Sequence, residues 1–268
     1  MSEGKKQSEK DYHESFYQRD EPLPEITVEG VERNLLRPCY EGNGDHYSEN
    51  RGAFHQLIRR YGGWEGKRVL DYACGFGDFA VYYGLTGAAR VDGFDIAETA
   101  IELARERVER QGLADRVHLE PMDASALRYE DDSFDLLIGH GVIHHVIKYP
   151  HIFEEMHRVL RPGARAFFVE GLADFPLWKL HWKIKGEVPE GDVPIFASEI
   201  REKAAHFSDV HVEGDTFFHS AKRWIWRAKP GPLRRGILRT THGIDRALFR
   251  VFPPLRRWGS FSYLVLTK

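Results

Sequence analysis

Cysteine is nearly absent: of 268 residues only Cys39 and Cys74 carry a thiol. Two are too few for a disulfide framework or a cysteine-rich metal site, so neither is expected. Long apolar runs are missing as well. The longest uncharged stretch, Leu136 to Ile147, has twelve residues, against roughly 20 for a membrane span. The opening MSEGKKQSEKDYHE contains no apolar core of signal-peptide type, which makes the cytoplasm the expected location. Internal repeats and low-complexity segments are also lacking. What is there is ordinary for a globular chain: 42% hydrophobic, 29% charged, net charge −3. That balance excludes wholesale disorder. At roughly 100–200 residues per domain, the length fits one elaborated domain or two small ones.

The net charge conceals an asymmetry. Between His219 and Trp258 stand eleven Lys and Arg against one acid, Asp245, a balance of +10, so the remainder carries −13. A basic patch confined to one segment argues against nucleic acid, whose readers are usually basic over a whole domain.

Periodicity divides the rest. Residues 1 to about 24 are polar, close with Pro22 and Pro24, and read as a loose arm. A helix starts at Ser48, carries Phe54, Leu57, Ile58 and Tyr61 at helical spacing, and stops at Gly62-Gly63. Strands then alternate with helices. The strands are expected at Arg68–Tyr72, Arg90–Phe94, Val117–Glu120, Phe134–Gly139 and Ala164–Glu170. Helices are expected from about Asp78 to Leu85, around Ile101, Ala104 and Val108 up to Gly112, and over Ile152–Leu160 before Pro162-Gly163. Two further strands, Val210–Phe218 and Phe261–Thr267, flank the basic segment. Short apolar strands alternating with helices form a mostly parallel sheet covered on both faces, a Rossmann-like doubly wound α/β fold, here with seven strands. The expected organisation is an arm and helical lid over 1–47, a core over 48–218, a basic helical insert over 219–258, and a last strand over 259–268.

In such a sheet, ligands bind at the carboxyl ends of the strands. The first end reads VLDYACGFG, with small residues at Ala73, Gly75 and Gly77 that let a ligand approach the backbone. Taken alone, the Gly-x-Gly equally fits a tight turn. The second strand ends in Asp95, eighteen residues past Gly77, where a carboxylate suits the two hydroxyls of a ribose or, alternatively, caps the next helix. The third is followed by Met122-Asp123-Ala124: the acid can accept from an exocyclic amine while its apolar neighbours sandwich an adenine. One ligand-directed group after each of three successive strands is hard to attribute to chance.

VLDYACGFGDFA, GFDIAETAIELA, MDASALRYEDDSFDLLIGHGVIHHV and EEMHRVLRPGARAFFVEG, in that order, resemble the motifs of class I S-adenosylmethionine-dependent methyltransferases. The resemblance covers roughly Lys67 to Gly171. It implies that Asp71, Ala73, Gly75 and Gly77 line the methionine end of the cofactor. It places the ribose at Asp95, the adenine against Ile96, the adenine amine at Asp123, and His140 beside the cofactor. Ala73 departs from the family's usual glycine. S-adenosylhomocysteine would be the product, and no metal is expected. A nicotinamide-binding oxidoreductase competes through Gly75-Phe76-Gly77-Asp78-Phe79-Ala80. That alternative leaves Asp123 and the FDLLIGHGVIHHV segment unexplained.

The family resemblance implies a small organic acceptor of natural-product or quinone-like type, most readily methylated at a hydroxyl. His144 and His145 follow the fourth strand and Glu170 ends the fifth, so a histidine base with an orienting acid is expected there; local packing is the plain alternative. Enzymes that resemble this one fold an N-terminal segment over the cofactor, which assigns Tyr40, Tyr47 and Arg51 to a lid, with Arg51 toward the methionine carboxylate. The basic segment is open to three readings: a substrate cap paired with the acidic remainder or a second subunit, peripheral contact with an anionic membrane, or a site for an acidic or phosphorylated ligand. A fold of this type that binds its cofactor for a cyclase or non-catalytic role also stays open.

Overall fold

The computed structural model describes residues 10–11, 14–15, 17–18, 21–36, 48–174, 195–215, 217, 232–259 and 261–268. Its strands are β1 (Arg68–Tyr72), β2 (Arg90–Asp95), β3 (Val117–Pro121), β4 (Phe134–His140), β5 (Leu160–Gly171), β6 (Asp209–Gly214) and β7 (Phe261–Thr267). They form one sheet in the order β3-β2-β1-β4-β5-β7-β6. β1 to β5 run parallel, and β7 inserts antiparallel between β5 and β6. The order reverses between β1 and β4, which opens a crevice at their carboxyl ends.

Successive strand residues face opposite sides, and the core divides accordingly. Val69, Val91, Leu136, Ile138, Phe167 and Val265 meet α2 (Ser48–Arg60), α3 (Asp78–Leu85) and α4 (Glu98–Arg110) through Phe54, Ile58, Tyr83, Ile101 and Val108. Their neighbours Leu70, Leu137, Phe168, Leu264 and Leu266 pack on the opposite face. There they meet α5 (Ile143–Val146), α6 (Ile152–Val159) and α7 (Ala197–Lys203). Burial on both faces is why these strands read as apolar runs rather than alternating ones.

Three expectations need correction. The stop at Pro162-Gly163 is a turn inside β5, not the end of α6. Phe134 pairs with Leu160 and Leu136 with Arg165, so residues 161–164 bulge from the ladder. β6 ends at Gly214 instead of Phe218; a side chain at 214 would collide with the backbone of Gly259 and the Arg256 carbonyl, and Phe218 lies outside the described residues. The third correction is the arm. Residues 10, 11, 14, 15 and 17 are helical, and Lys10 pairs with Glu98 at 2.5 Å. Glu14 accepts from the amides of Glu98 and Thr99 at 2.7 and 3.2 Å. It thereby caps α4, whose own N-cap residue, Ala97, has no side chain able to do so. Gln111 exchanges both backbone bonds with Ile26, at 2.9 and 2.7 Å. The helix α1 (Val28–Leu36) follows, within the segment expected to hold a helical lid.

Beyond α7 and β6, α8 (Pro232–Val251) runs for 20 residues and a 3₁₀ turn over Pro253–Trp258 leads into β7. The basic insert is thus helical across its described part.

Candidate active site

At the end of β1, alternate residues enter the left-handed region: Ala73 has φ 56°, Gly75 51° and Gly77 67°. Gly77 also has no room for a side chain, since a Cβ there would lie 2.9 Å from Leu119 Cδ1. Ala73 is the strained member, because its methyl crowds the backbone in this conformation. Ala73→Gly should therefore raise stability by about 0.5–1 kcal/mol in thermal denaturation, net of the extra freedom glycine gives the unfolded chain.

Asp95 ends β2 almost wholly buried. Its Oδ2 accepts from Gly75 N at 2.9 Å and its Oδ1 from Ala97 N at 3.1 Å. One carboxylate therefore closes the β1 turn and starts α4. Asp71, buried within β1, and Asp95 both act on Cys74. Burial first, then these two negative charges, push the thiol well above its usual range, so it stays protonated. Past β3, Asp123 Oδ1 accepts from Ser125 N and Oγ, both at 2.7 Å. Its neighbours Met122 and Ala124 are buried in the cluster that contains Tyr72 and Phe94, and Ile96 is half-buried.

The pairing brings these ends together. Tyr72 lies beside Phe94 and Gly139, and Asp95 beside Pro121. Asp71, Ala73, Gly75, Gly77, Asp95, Ile96, Met122, Asp123 and Ala124 thus gather along one edge of the sheet. Tyr47 lies outside the described residues with Tyr40, as does the side chain of Arg51.

Sequence reasoning missed two residues at this edge. Arg107, on α4, is 1% exposed. It donates to the Phe76 carbonyl in the turn and to Pro24 O at 3.4 Å, and it pairs with Asp78 at 2.6 Å. It ties the glycine turn, the start of α3 and the arm to one guanidinium. Arg107→Met should cost about 1–3 kcal/mol in denaturant unfolding, since it strands a buried carbonyl. The only sequence signal was an arginine on the inner, apolar-spaced side of its helix. Tyr17, from the arm, is the other. Its ring meets Phe76 edge-on at 4.8 Å, and its hydroxyl lies 3.0 Å from where a Gly75 Cβ would stand. Burial, and then the Asp95 charge, raise its phenol so that it stays neutral. Nothing in the polar arm marked it.

His140, ending β4, stacks on Phe79 at 4.0 Å, with its Nε2 3.3 Å from the Tyr83 hydroxyl. That hydroxyl is also 2.9 Å from His55 Nε2. His140 therefore joins an aromatic cluster between β4, α2 and α3.

On the other side of β4, Glu170 is enclosed at the end of β5. Its Oε1 accepts from the amides of Val142 and Ile143 at 2.7 and 2.6 Å, and its Oε2 lies 2.9 Å from His144 Nδ1. His144 is 23% exposed and Glu170 0%. His145 packs against His144 with ring centroids 4.0 Å apart. Of the two histidines, the one on the acid is His144.

This strand order, with an antiparallel β7 between β5 and β6 and acids within β1, at the end of β2 and past β3, is that of the class I S-adenosylmethionine-dependent methyltransferase fold. Residues 69–163 match the methyltransferase domain family. It is 39% identical over 110 residues to methyltransferase GfsG of Streptomyces halstedii, covering 41% of this chain and 40% of that protein. With the demethylmenaquinone methyltransferase of Lactiplantibacillus plantarum it shares 36% identity over 119 residues, 43% of this chain and 50% of that one. The chain thus spans half or less of the length of these curated relatives. In the solved phosphoethanolamine N-methyltransferase 2 of Haemonchus contortus with S-adenosyl-L-methionine, the fold recurs with a TM-score of 0.57 at 19% identity. That alignment takes in 96% of this chain and 60% of the other.

Proposed function

We propose that the protein transfers the methyl group of S-adenosylmethionine to a hydroxyl oxygen of a small organic acceptor of natural-product or quinone type. The observation that carries this reading is the His144–Glu170 pair, 2.9 Å apart, at the ends of β4 and β5 beside the crevice. The curated relatives, one of them named for demethylmenaquinone, support a small acceptor.

The residues suit the cofactor. Asp95 offers a buried carboxylate for a ribose, Asp123 an acceptor for an adenine amine, and Met122 and Ile96 apolar walls for the base. Asp71, Ala73, Gly75 and Gly77 line the methionine end, and His140 closes the side toward α2. Bound S-adenosylmethionine supplies a methyl carbon on a sulfonium, which leaves as the thioether of S-adenosylhomocysteine.

The rest falls to the chain. Two backbone amides hold Glu170 Oε1, so Oε2 is aimed at His144 Nδ1 and keeps the proton on that nitrogen. Nε2 is then the basic nitrogen and takes the hydroxyl proton as the oxygen becomes a nucleophile. Orientation and exclusion of water provide most of the remaining acceleration, roughly 7–11 kcal/mol where alignment is good. Product analysis tests the proposal. Incubation with S-adenosylmethionine and a panel of phenols and hydroquinones should yield S-adenosylhomocysteine in proportion to a product heavier by one methylene. An altered product without S-adenosylhomocysteine would instead indicate the cyclase alternative.

A further inference from the structure

The described part of the basic segment presents an apolar stripe that nothing in the fold requires. Seven large hydrophobic residues stand exposed among the described residues, and five of them are Leu233, Ile237, Ile244, Val251 and Phe252. Leu233 is 78% exposed and Val251 66%. At about 100° per residue, Leu233, Ile237, Ile244 and Val251 fall within about 40° of one another on α8. Arg239, Arg246 and Arg250, all exposed, form a second stripe about 140° away on the same reckoning. Between the two lie Gly236, Thr240, Gly243 and Ala247, and a Cβ at either glycine would meet only open space. The inner side is fixed to the protein. Phe249 is buried under the Arg256 guanidinium, 5.4 Å from the ring centroid. Asp245 is buried and accepts from Phe217 N at 3.0 Å.

We infer that α8 docks on an anionic lipid bilayer, lying in its surface with the Leu233–Val251 stripe in the acyl boundary and the arginine stripe among the headgroups. An amphipathic helix with arginines on its polar side binds membranes in this way. Among the described residues, no helix is long and apolar enough to cross one. Charge separates this occupant from a second copy of the chain. In an antiparallel two-fold pair the arginine stripe would meet itself and in a parallel pair it would meet the partner's apolar stripe, and the only acid on α8, Asp245, faces inward. The small residues between the stripes leave the backbone close to the surface, and the arginines reach headgroups by extending their stems.

Cosedimentation of the full chain with vesicles tests this. Vesicles of phosphatidylcholine and phosphatidylglycerol in equal parts should bind the protein, vesicles of phosphatidylcholine alone should not, and high salt should release it. Arg239→Gln, Arg246→Gln and Arg250→Gln together should weaken binding by on the order of a hundredfold, at about fivefold per guanidinium. Leu233→Ser, Ile244→Ser and Val251→Ser together should also abolish binding, with the melting temperature unchanged because all three side chains are exposed. Equal binding to both vesicle types, or none to either, would overturn the inference. So would undiminished binding by the serine variant, which would mark the surface as a general polyanion patch. A dimer in sedimentation velocity that the serine variant dissolves would assign the stripe to a second copy.

Discussion

His144→Ala is expected to slow turnover by about 10²–10⁴-fold, the usual contribution of a positioned base, while affinity for S-adenosylmethionine stays at its wild-type value. His144 stands after β4 and is assigned no part in holding the cofactor, so the two measurements separate. Glu170→Gln is the sharper variant. A glutamine oxygen can still accept from Val142 N and Ile143 N, at 2.7 and 2.6 Å in the native protein, so the fold survives. Its amide would then face His144 Nδ1 as a donor and drive the ring proton to Nε2. The base would be lost by tautomer alone, with the imidazole still in place. Both variants should lose similar activity, and their combination little more than either. His145→Ala should keep most of the turnover, since the acid addresses His144. Single-turnover rates with a competent acceptor decide the matter. Wild-type rates in His144→Ala would remove the base and leave orientation as the source of catalysis.

Asp95→Ala should weaken S-adenosylmethionine binding by about 10- to 150-fold, from the loss of charge-assisted hydrogen bonds worth roughly 1.5–3 kcal/mol. The same substitution deprives Gly75 N and Ala97 N of their acceptor, and both amides are held at about 3 Å. The free protein should therefore also unfold earlier, by about 1–3 kcal/mol if both amides stay buried. Asp95→Asn separates the two effects. It keeps one oxygen for the turn, restores most of the stability, and still binds more weakly because it offers no charge to the ribose. Calorimetry gives the affinity and denaturant unfolding the stability. Unchanged affinity in Asp95→Ala would move the ribose elsewhere.

The sheet was legible because its strands are buried on both faces and their apolar runs are bounded by Gly62-Gly63, Gly87 and Gly112. β1, α3 and β7 fall where periodicity put them, and the residues proposed to hold the cofactor stand at or beside the strand ends. The pairing of Glu170 with one histidine was expected from topology, but its choice of His144 depends on how α5 turns after Gly141, which no local pattern encodes. Where local signals misled, tertiary contacts explain it. Pro162-Gly163 marks a real turn that the β4–β5 ladder absorbs as a bulge. The arm is polar because its helix docks through Lys10, Glu14 and Tyr17 rather than through an apolar stripe, so composition alone made it look loose. Arg107 was hidden for a similar reason: a buried arginine and a solvated one look alike until its acceptors, the carbonyls of Phe76 and Pro24, are brought to it by the fold. α8 shows the converse, since its charge was plain in the sequence while its exposed apolar stripe needed the packing of Phe249 and Asp245 to define the inner face.

Calorimetric titration of the protein with S-adenosylmethionine, S-adenosylhomocysteine and NAD in parallel, repeated on Asp95→Ala, tests the central claim most directly. The expected result is binding of the first two to the native protein, none of NAD, and a marked loss of both affinities in the variant. Binding of NAD alone would contradict the cofactor assignment and recast His144 and Glu170 as parts of a redox site.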